Sequence, residues 1–246
     1  MNGDRLTQKE KKVIAIVGSG NVAWHFLKCF DNCAVTYQVN PRTLDNFRSD
    51  TEIALICVKD DVIKSVAEKI PGFIPIVAHT SGSVPLEAVK RTGDYGVFYP
   101  LQTFTKGVAL NYSHIPFFIE GDSIDTYNSL HELAALVADK IYSADSEIRK
   151  RLHLASVFAC NFTNALIGIS DHLLKDYCLS KECLLPLIDQ TISKLNYMDA
   201  DAAQTGPAAR GDIHILEKHL NMLDDNPEIK AIYEAISKYI LNKSKN

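Results

Sequence analysis

The sequence predicts an α/β domain built on a mainly parallel sheet, followed by an all-α domain, and three observations carry that expectation. Short apolar, β-branched runs alternate with helical stretches through the amino-terminal half. The segment Val17-Gly18-Ser19-Gly20-Asn21-Val22-Ala23 falls directly between the first such run and the first helical stretch. From Asp145 onward the apolar residues recur only at helical spacing.

Val13 to Val17 is continuously apolar and ends at glycine, as a strand buried on both faces should. Ala34 to Val39, Ile53 to Val58, Ile74 to Ala78, Tyr95 to Tyr99 and Ile115 to Glu120 read as further strands. Asn21 to Phe30 and Asp61 to Lys69 read as intervening helices, with Asp60 or Asp61 as a cap of the second. Strand and helix in alternation imply right-handed crossovers. Asp145-Ser146-Glu147 is an N-cap with an acidic first turn and marks the expected boundary between a domain over 10–144 and one over 145–246. Beyond it, Ile148, Leu152, Ala155, Ala159, Phe162, Leu166, Ile169 and Leu173 form the seam of a long helix. Leu152 to Ser170 contains no Asp, Glu, Lys or Arg, so this helix is expected to be buried nearly all round, inside the domain or at a homodimer interface. Further helices are expected around Glu182 to Tyr197, Asp212 to Leu223 and Pro227 to Leu241.

Composition narrows the function classes. The 246 residues are 46% apolar and 23% charged, with a net charge of −4 and a pI of about 6.1. Such a chain has no general basic field for nucleic acid or an anionic membrane, so neither is an expected partner. The first twelve residues are polar, and no later apolar run approaches the roughly eighteen residues of a membrane span, which predicts a cytoplasmic protein. Six cysteines lie in apolar segments without C-x-x-C spacing, as reduced, buried thiols would. No metal site is expected, since His214 and His219 lack companions at metal-ligand spacing.

Gly18-x-Gly20-x-x-Ala23 between strand and helix reads as the dinucleotide-binding turn of a Rossmann domain, with a purely structural glycine turn as the alternative. The first glycine permits the tight turn, the second lets backbone approach a pyrophosphate, and the small third residue lets helix pack on strand. The N–H groups of Ser19, Gly20, Asn21 and Val22 at the helix end would face the anion. An Asp or Glu at the end of the second strand would select NAD. The chain instead has Val39-Asn40-Pro41-Arg42, where Asn40 and Arg42 suit a 2′-phosphate, so NADP is preferred to NAD; a solvated loop charge is the alternative for Arg42. Val58 and Lys59, at the end of the next apolar strand, are expected to pass beside the cofactor ribose.

Those residues resemble the superfamily of pyrroline-5-carboxylate reductase, 6-phosphogluconate dehydrogenase and prephenate dehydrogenase. Within it, the chain is similar to Rossmann-like NADP oxidoreductases with a helical C-terminal domain of unknown function. The likeness runs over nearly the whole chain. It rests on the glycine turn, Ala78-His79-Thr80-Ser81-Gly82-Ser83, Phe98-Tyr99-Pro100-Leu101-Gln102-Thr103-Phe104, the helix His153 to Leu166, and Thr205-Gly206-Pro207-Ala208-Ala209-Arg210-Gly211-Asp212. Two departures set its limits. The Lys-x-x-x-Asn pair of the hydroxyacid dehydrogenases is missing, since the residues four before Asn161 and Asn164 are Val157 and Cys160. The pyrroline-5-carboxylate reductase signature is missing too, so the resemblance implies a reaction type and names no substrate. Many relatives carry His where this chain has Tyr99.

In an open parallel sheet the ligand lies beyond the carboxyl ends of the strands. His79, Thr80 and Ser81 stand at such an end, where they would orient the nicotinamide carboxamide or donate to a substrate carbonyl or imine. A serine-rich turn capping the next helix is the structural alternative. Tyr99 reads as a packed aromatic with a satisfied hydroxyl, and Gln102 as a substrate contact. Asn161 and Asn164, on the charge-free helix, either bond neighbouring helices or face a cleft between the domains; Asn161 is favoured there by the resemblance. His153 reads as structural. Arg210 would clamp a substrate carboxylate or pair with Asp212. The expected protein is an NADP-dependent oxidoreductase that moves hydride to or from a C=O or C=N carbon of a small anionic molecule, with His79, Ser81, Asn161 and Arg210 as catalytic candidates. The alternative from another class is a non-catalytic NADP(H)-binding sensor or scaffold.

Overall fold

The computed structural model describes residues 11–243. The chain divides into two compact units, Met1–Val157 and Phe158–Asn246.

The first unit holds a seven-stranded sheet of β1 (Val13–Val17), β2 (Val35–Val39), β3 (Ile53–Ile56), β4 (Ile76–His79), β5 (Asp94–Pro100), β6 (Phe117–Gly121) and β7 (Ile141–Ser143), in the order β2-β1-β3-β4-β5-β6-β7. All neighbours are parallel except β5 and β6. The expected mainly parallel α/β class is therefore the observed one. β7 has no counterpart among the expected strands, because a three-residue edge strand leaves no periodicity to read. Two helices, α1 (Asn21–Cys29) and α3 (Ile124–Ala135), pack on one face. There Phe26, Phe30, Phe98 and Phe117 meet with ring centroids 4.9 to 6.3 Å apart, each pair worth about 0.5–1.5 kcal/mol beyond simple burial. On the other face α2 (Ile63–Ala67) buries Ile63, Val66 and Ala67 against Ile56 and Val77. Reversal of strand order between β1 and β3 opens a crevice at their carboxyl ends, the usual ligand position in such sheets.

Helix α4 (Ser146–Ser156) closes this unit, and Asp145 caps it by accepting from the Ile148 N–H at 2.8 Å. Neither Asp60 nor Asp61 caps a helix through its side chain. The Asp60 carboxylate instead accepts from the Ser83 hydroxyl, a contact between the ends of β3 and β4 that local spacing does not reveal. Pro85 precedes only a single 3-10 turn, Leu86–Val89, and its start has no side-chain cap.

The second unit is helical: α5 (Thr163–Leu174), α6 (Leu185–Lys194), α7 (Ala200–Ala203), α8 (Pro207–Arg210), α9 (Ile213–Met222) and α10 (Pro227–Lys243). Val157–Phe162 is a π-helical segment instead of regular α-helix. Burial of the charge-free helix inside the chain is not observed: Phe158, Phe162, Leu166 and Leu173 are all exposed. Its missing charges therefore do not reflect a core position within the chain. The run Ser146–Tyr177 is also long and apolar enough, by length and composition alone, to cross a membrane. The expectation that no apolar run approaches a membrane span is not met here, because Asn161, Thr163 and Asn164 break contiguity while the apolar residues around them keep the mean hydropathy high. Of the cysteines, Cys57 is buried, Cys29 and Cys33 are half-buried, and Cys160, Cys178 and Cys183 are exposed, so the buried-thiol expectation fails for the helical unit.

Candidate functional site

The site is built from the glycine turn. Gly18 has φ +151°, and a Cβ there would stand 2.2 Å from the Cys57 carbonyl oxygen, so the close approach of β1 to β3 admits only glycine. Its backbone is held on the other side, where its N–H donates to the Val39 carbonyl (3.2 Å) and its carbonyl accepts from Gln38 Nε2 (2.6 Å). Gly20 is different. It is the N-cap of α1, and a Cβ added to it would meet nothing within 4 Å. No side chain caps α1 and no acid occupies its first turn. The open space at Gly20 therefore faces helix N–H groups suited to an anion.

That space belongs to a cavity of about 730 Å³ lined by Ser19, Gly20, Asn21, Val22, Arg42 and Val58, among others, with Lys59 and Thr80 also in its wall. A second cavity of about 590 Å³ adjoins it, sharing Ser19, Pro41 and Arg42 and including Asn40. Asn40 Oδ1 accepts the Arg42 N–H at 3.0 Å, fixing the loop that presents the exposed Arg42 side chain. A narrow turn, open helix end and bordering cation fit a dinucleotide diphosphate with a 2′-phosphate near Arg42.

Beside this cavity, Thr80 Oγ1 donates to the Ile56 carbonyl at 3.1 Å. His79 is fully buried. Its Nδ1 accepts the Ser81 N–H at 3.1 Å, and Nε2 forms no hydrogen bond of normal geometry. Burial, then the nearby Arg149 charge, lowers its pKa to about 4, against weaker opposition from the Pro85 carbonyl and Asp60. His79 is thus neutral at pH 7. Ser81 Oγ accepts from the Ser83 and Val84 N–H groups, each at 3.1 Å, which makes it the pivot of the turn. Gly82 lies flat on Tyr99, where an added Cβ would meet Tyr99 Cζ at 2.5 Å. The Tyr99 hydroxyl sits 3.4 Å from His153 Nδ1, and burial raises its pKa.

Residues 115–240 match the family model described as a domain of unknown function, DUF2520. The chain belongs to the DUF2520 family. A crystal structure of a Bacteroides fragilis protein, assigned by inference as an NADP oxidoreductase, is 32% identical, with 94% of this chain and 98% of that one covered and a TM-score of 0.86. A Thermotoga maritima protein is 23% identical over 94% of this chain and 98% of its own, with a TM-score of 0.72. A reductive aminase from Aspergillus terreus, solved with NADPH and ethyl levulinate, shares the fold at 13% identity and a TM-score of 0.69, covering 95% and 94% of the two chains. No curated protein matches the chain. The observed architecture is thus the Rossmann-like oxidoreductase fold with a helical C-terminal region.

Within this DUF2520 chain, three residues that sequence spacing did not single out organise the site. Arg149 has no solvent exposure. Its Nη2 meets Glu120 Oε2 at 2.7 Å, while Nη1 donates to the carbonyls of Ser81 (3.1 Å) and Val84 (2.9 Å), bracing the turn that carries Ser81. His25, also fully buried, faces the loop after β5. Lys106, from that loop, donates to the Ser19 carbonyl at 2.6 Å. Gln102 is exposed, and its Oε1 accepts the neighbouring Thr103 N–H at 2.7 Å.

In the helical unit, Asn161 lies in the π segment and Asn164 on α5, both exposed. Arg210 is paired with Asp212, with Nε and Nη2 at 2.9 and 2.8 Å from Oδ2. Asp212 therefore serves this pair and caps α9 with no side-chain hydrogen bond. His219 Nδ1 is 2.7 Å from the Tyr233 hydroxyl.

Proposed function

We propose that this chain is an NADP-dependent oxidoreductase acting on a C=O or C=N carbon of a small anionic molecule. The carrying observation is the pair of adjoining cavities that runs from the open N-cap at Gly20 to Arg42, with Asn40 in place of an acid directly after β2 and Asp45, which accepts from the Thr43 hydroxyl, further along the second cavity's wall. Support also comes from the Bacteroides fragilis relative, assigned by inference as an NADP oxidoreductase, and from NADPH in the Aspergillus terreus structure.

Ser19, Gly20, Asn21 and Val22 hold the diphosphate through backbone N–H groups, while Asn40 and Arg42 hold the 2′-phosphate. Val58, Lys59 and Thr80 line the ribose path. When bound, the nicotinamide supplies or takes up the hydride. Ser81, whose hydroxyl oxygen accepts the Ser83 and Val84 N–H groups, is the candidate donor after β4, and neutral His79 holds the same turn through the Ser81 N–H instead of giving up a proton. Gln102, Asn161, Asn164 and Arg210 are the chain's candidates for holding substrate. The domains are read as a cofactor-binding part over 10–144 and a helical part over 145–246 for substrate and dimerisation, although α4 itself falls in the first compact unit, where Arg149 is bonded. A second copy of the chain is the proposed cover for the exposed apolar side chains of Phe158, Phe162, Leu187 and Ile192.

A second reading is a sensor that binds NADP(H) without turnover. The buried, neutral state of His79 and the pairing of Arg210 with Asp212 favour it, since both leave proton transfer without an evident acid. Incubation with NADPH and a panel of ketoacids, aldehydes and cyclic imines separates the two. Oxidation of NADPH with any class establishes the enzyme, whereas tight binding without oxidation on all three favours the sensor. Sedimentation at micromolar concentration tests the dimer, and a monomer contradicts it.

A further inference from the structure

Lys106 reaches the glycine turn from a distant part of the chain. It lies in the segment between β5 and β6, is itself exposed, and places Nζ 2.6 Å from the Ser19 carbonyl, 87 residues away in sequence. Its approach is not a chance excursion of a long side chain. The carbonyl of the preceding residue, Thr105, accepts from His25 Nε2 at 2.9 Å, and His25 stands on α1, one turn beyond the glycines. The other ring nitrogen meets the Tyr112 hydroxyl at 3.0 Å, and Phe104 packs on the imidazole at 5.0 Å between centroids. With Nε2 donating to Thr105, Nδ1 is left to accept from Tyr112, so one neutral tautomer satisfies both bonds. The helix that begins at the diphosphate turn thereby fixes the loop that carries Lys106.

We infer that Lys106 is a diphosphate-binding residue, the cation that closes the glycine turn from the side of the β5–β6 loop. The inference rests on the NADP reading above. An ammonium has three donors and the Ser19 carbonyl takes one, leaving two for a neighbouring anion. Ser19 lines both cavities, and the first turn of α1 contains no acid to compete for the charge. Backbone dipoles at a helix end offer only about half an elementary charge, so a diphosphate gains from a full cation at this position. The role differs from that of Arg42, which follows β2 and is read as the 2′-phosphate contact.

The test compares wild type, Lys106→Gln and Lys106→Arg by calorimetric titration with NADP and with 2′-AMP, which carries the 2′-phosphate and no diphosphate. Lys106→Gln should weaken NADP about tenfold, leave 2′-AMP unchanged, and be largely rescued by Lys106→Arg. An unchanged NADP affinity in Lys106→Gln, with wild type binding normally, overturns the inference alone. Equal losses for NADP and 2′-AMP also overturn it, by assigning Lys106 to the other end of the cofactor. No NADP binding by wild type overturns the functional reading itself.

Discussion

His25 Nε2 lies 2.9 Å from the Thr105 carbonyl oxygen and joins the helix of the glycine turn to a loop 80 residues further along the chain. The imidazole is fully buried although Thr105 is exposed, so truncating His25 removes both bonds and opens a void under the loop. His25→Ala is expected to destabilise the fold by about 2–4 kcal/mol. It should also speed proteolysis within residues 102–110 more than elsewhere and weaken NADP. Uniform protection of that loop in the variant would show that His25 does not anchor it.

The two turn glycines should respond differently. Gly18→Ala forces a Cβ against the Cys57 carbonyl oxygen and is expected to cost about 2 kcal/mol or more in urea unfolding. Gly20→Ala meets open space, with φ −78°, so stability should change by less than about 0.5 kcal/mol. NADP affinity should nevertheless fall in Gly20→Ala, because the added methyl occupies the approach to the diphosphate. Full affinity in that variant would place the ligand elsewhere.

Arg42→Ala should lower affinity for NADP by about tenfold or more while leaving NAD within about twofold, because only the former carries a 2′-phosphate. Parallel titrations of the two cofactors read this directly. Equal losses would move Arg42 away from the ribose phosphate.

Breaking the Glu120 and Arg149 pair should be costly. Arg149 is wholly buried, and Glu120→Gln removes the charge that balances it, for an expected loss of roughly 3 kcal/mol in chemical denaturation. Because Arg149 also braces the Ser81 and Val84 carbonyls, amide exchange in the 81–84 turn should rise in the same variant. A loss below about 1 kcal/mol would show that the guanidinium finds adequate partners without Glu120.

Stability should fall with acid through His79. Its pKa is about 4 in the folded chain and about 6.5 when unfolded, so between these values the unfolded state binds more protons. Stability is therefore full above about pH 6.5 and declines as pH falls towards 4, by about 3 kcal/mol in all. His79→Gln should flatten this part of the stability profile. An unaltered slope would assign the acid sensitivity to other groups.

How much of the molecule the sequence discloses depends on sequence distance. The parallel-sheet architecture was legible, because buried strands such as Val13–Val17 and Ile53–Ile56 are uninterrupted apolar runs, and Gly18 to Ala23 sits between a strand and a helix. Asn40 and Arg42 lie at a fixed interval from the glycines along one βαβ unit, and the structure brings both to the cavity wall that Ser19 shares. Lys106, His25 and Arg149 were not legible, since their defining partners lie 87, 80 and 68 residues away. Arg149 is further masked by its neighbours: Glu147, Lys150 and Arg151 are exposed, so the segment reads as a solvated helix face. The charge-free helix misled for a related reason. Absence of charge predicts burial, yet Phe158, Phe162, Leu166 and Leu173 are exposed within the chain.

Trp24, the chain's one tryptophan, stands on α1 four residues after Gly20 and reports directly on the proposed cofactor. Titration with NADPH should quench its emission and raise sensitised emission from the dihydronicotinamide, saturating at micromolar cofactor and reversed by excess NADP. Absence of both signals, together with no heat of binding at millimolar NADPH, would contradict the assignment of the Gly18 to Ala23 turn as a dinucleotide site.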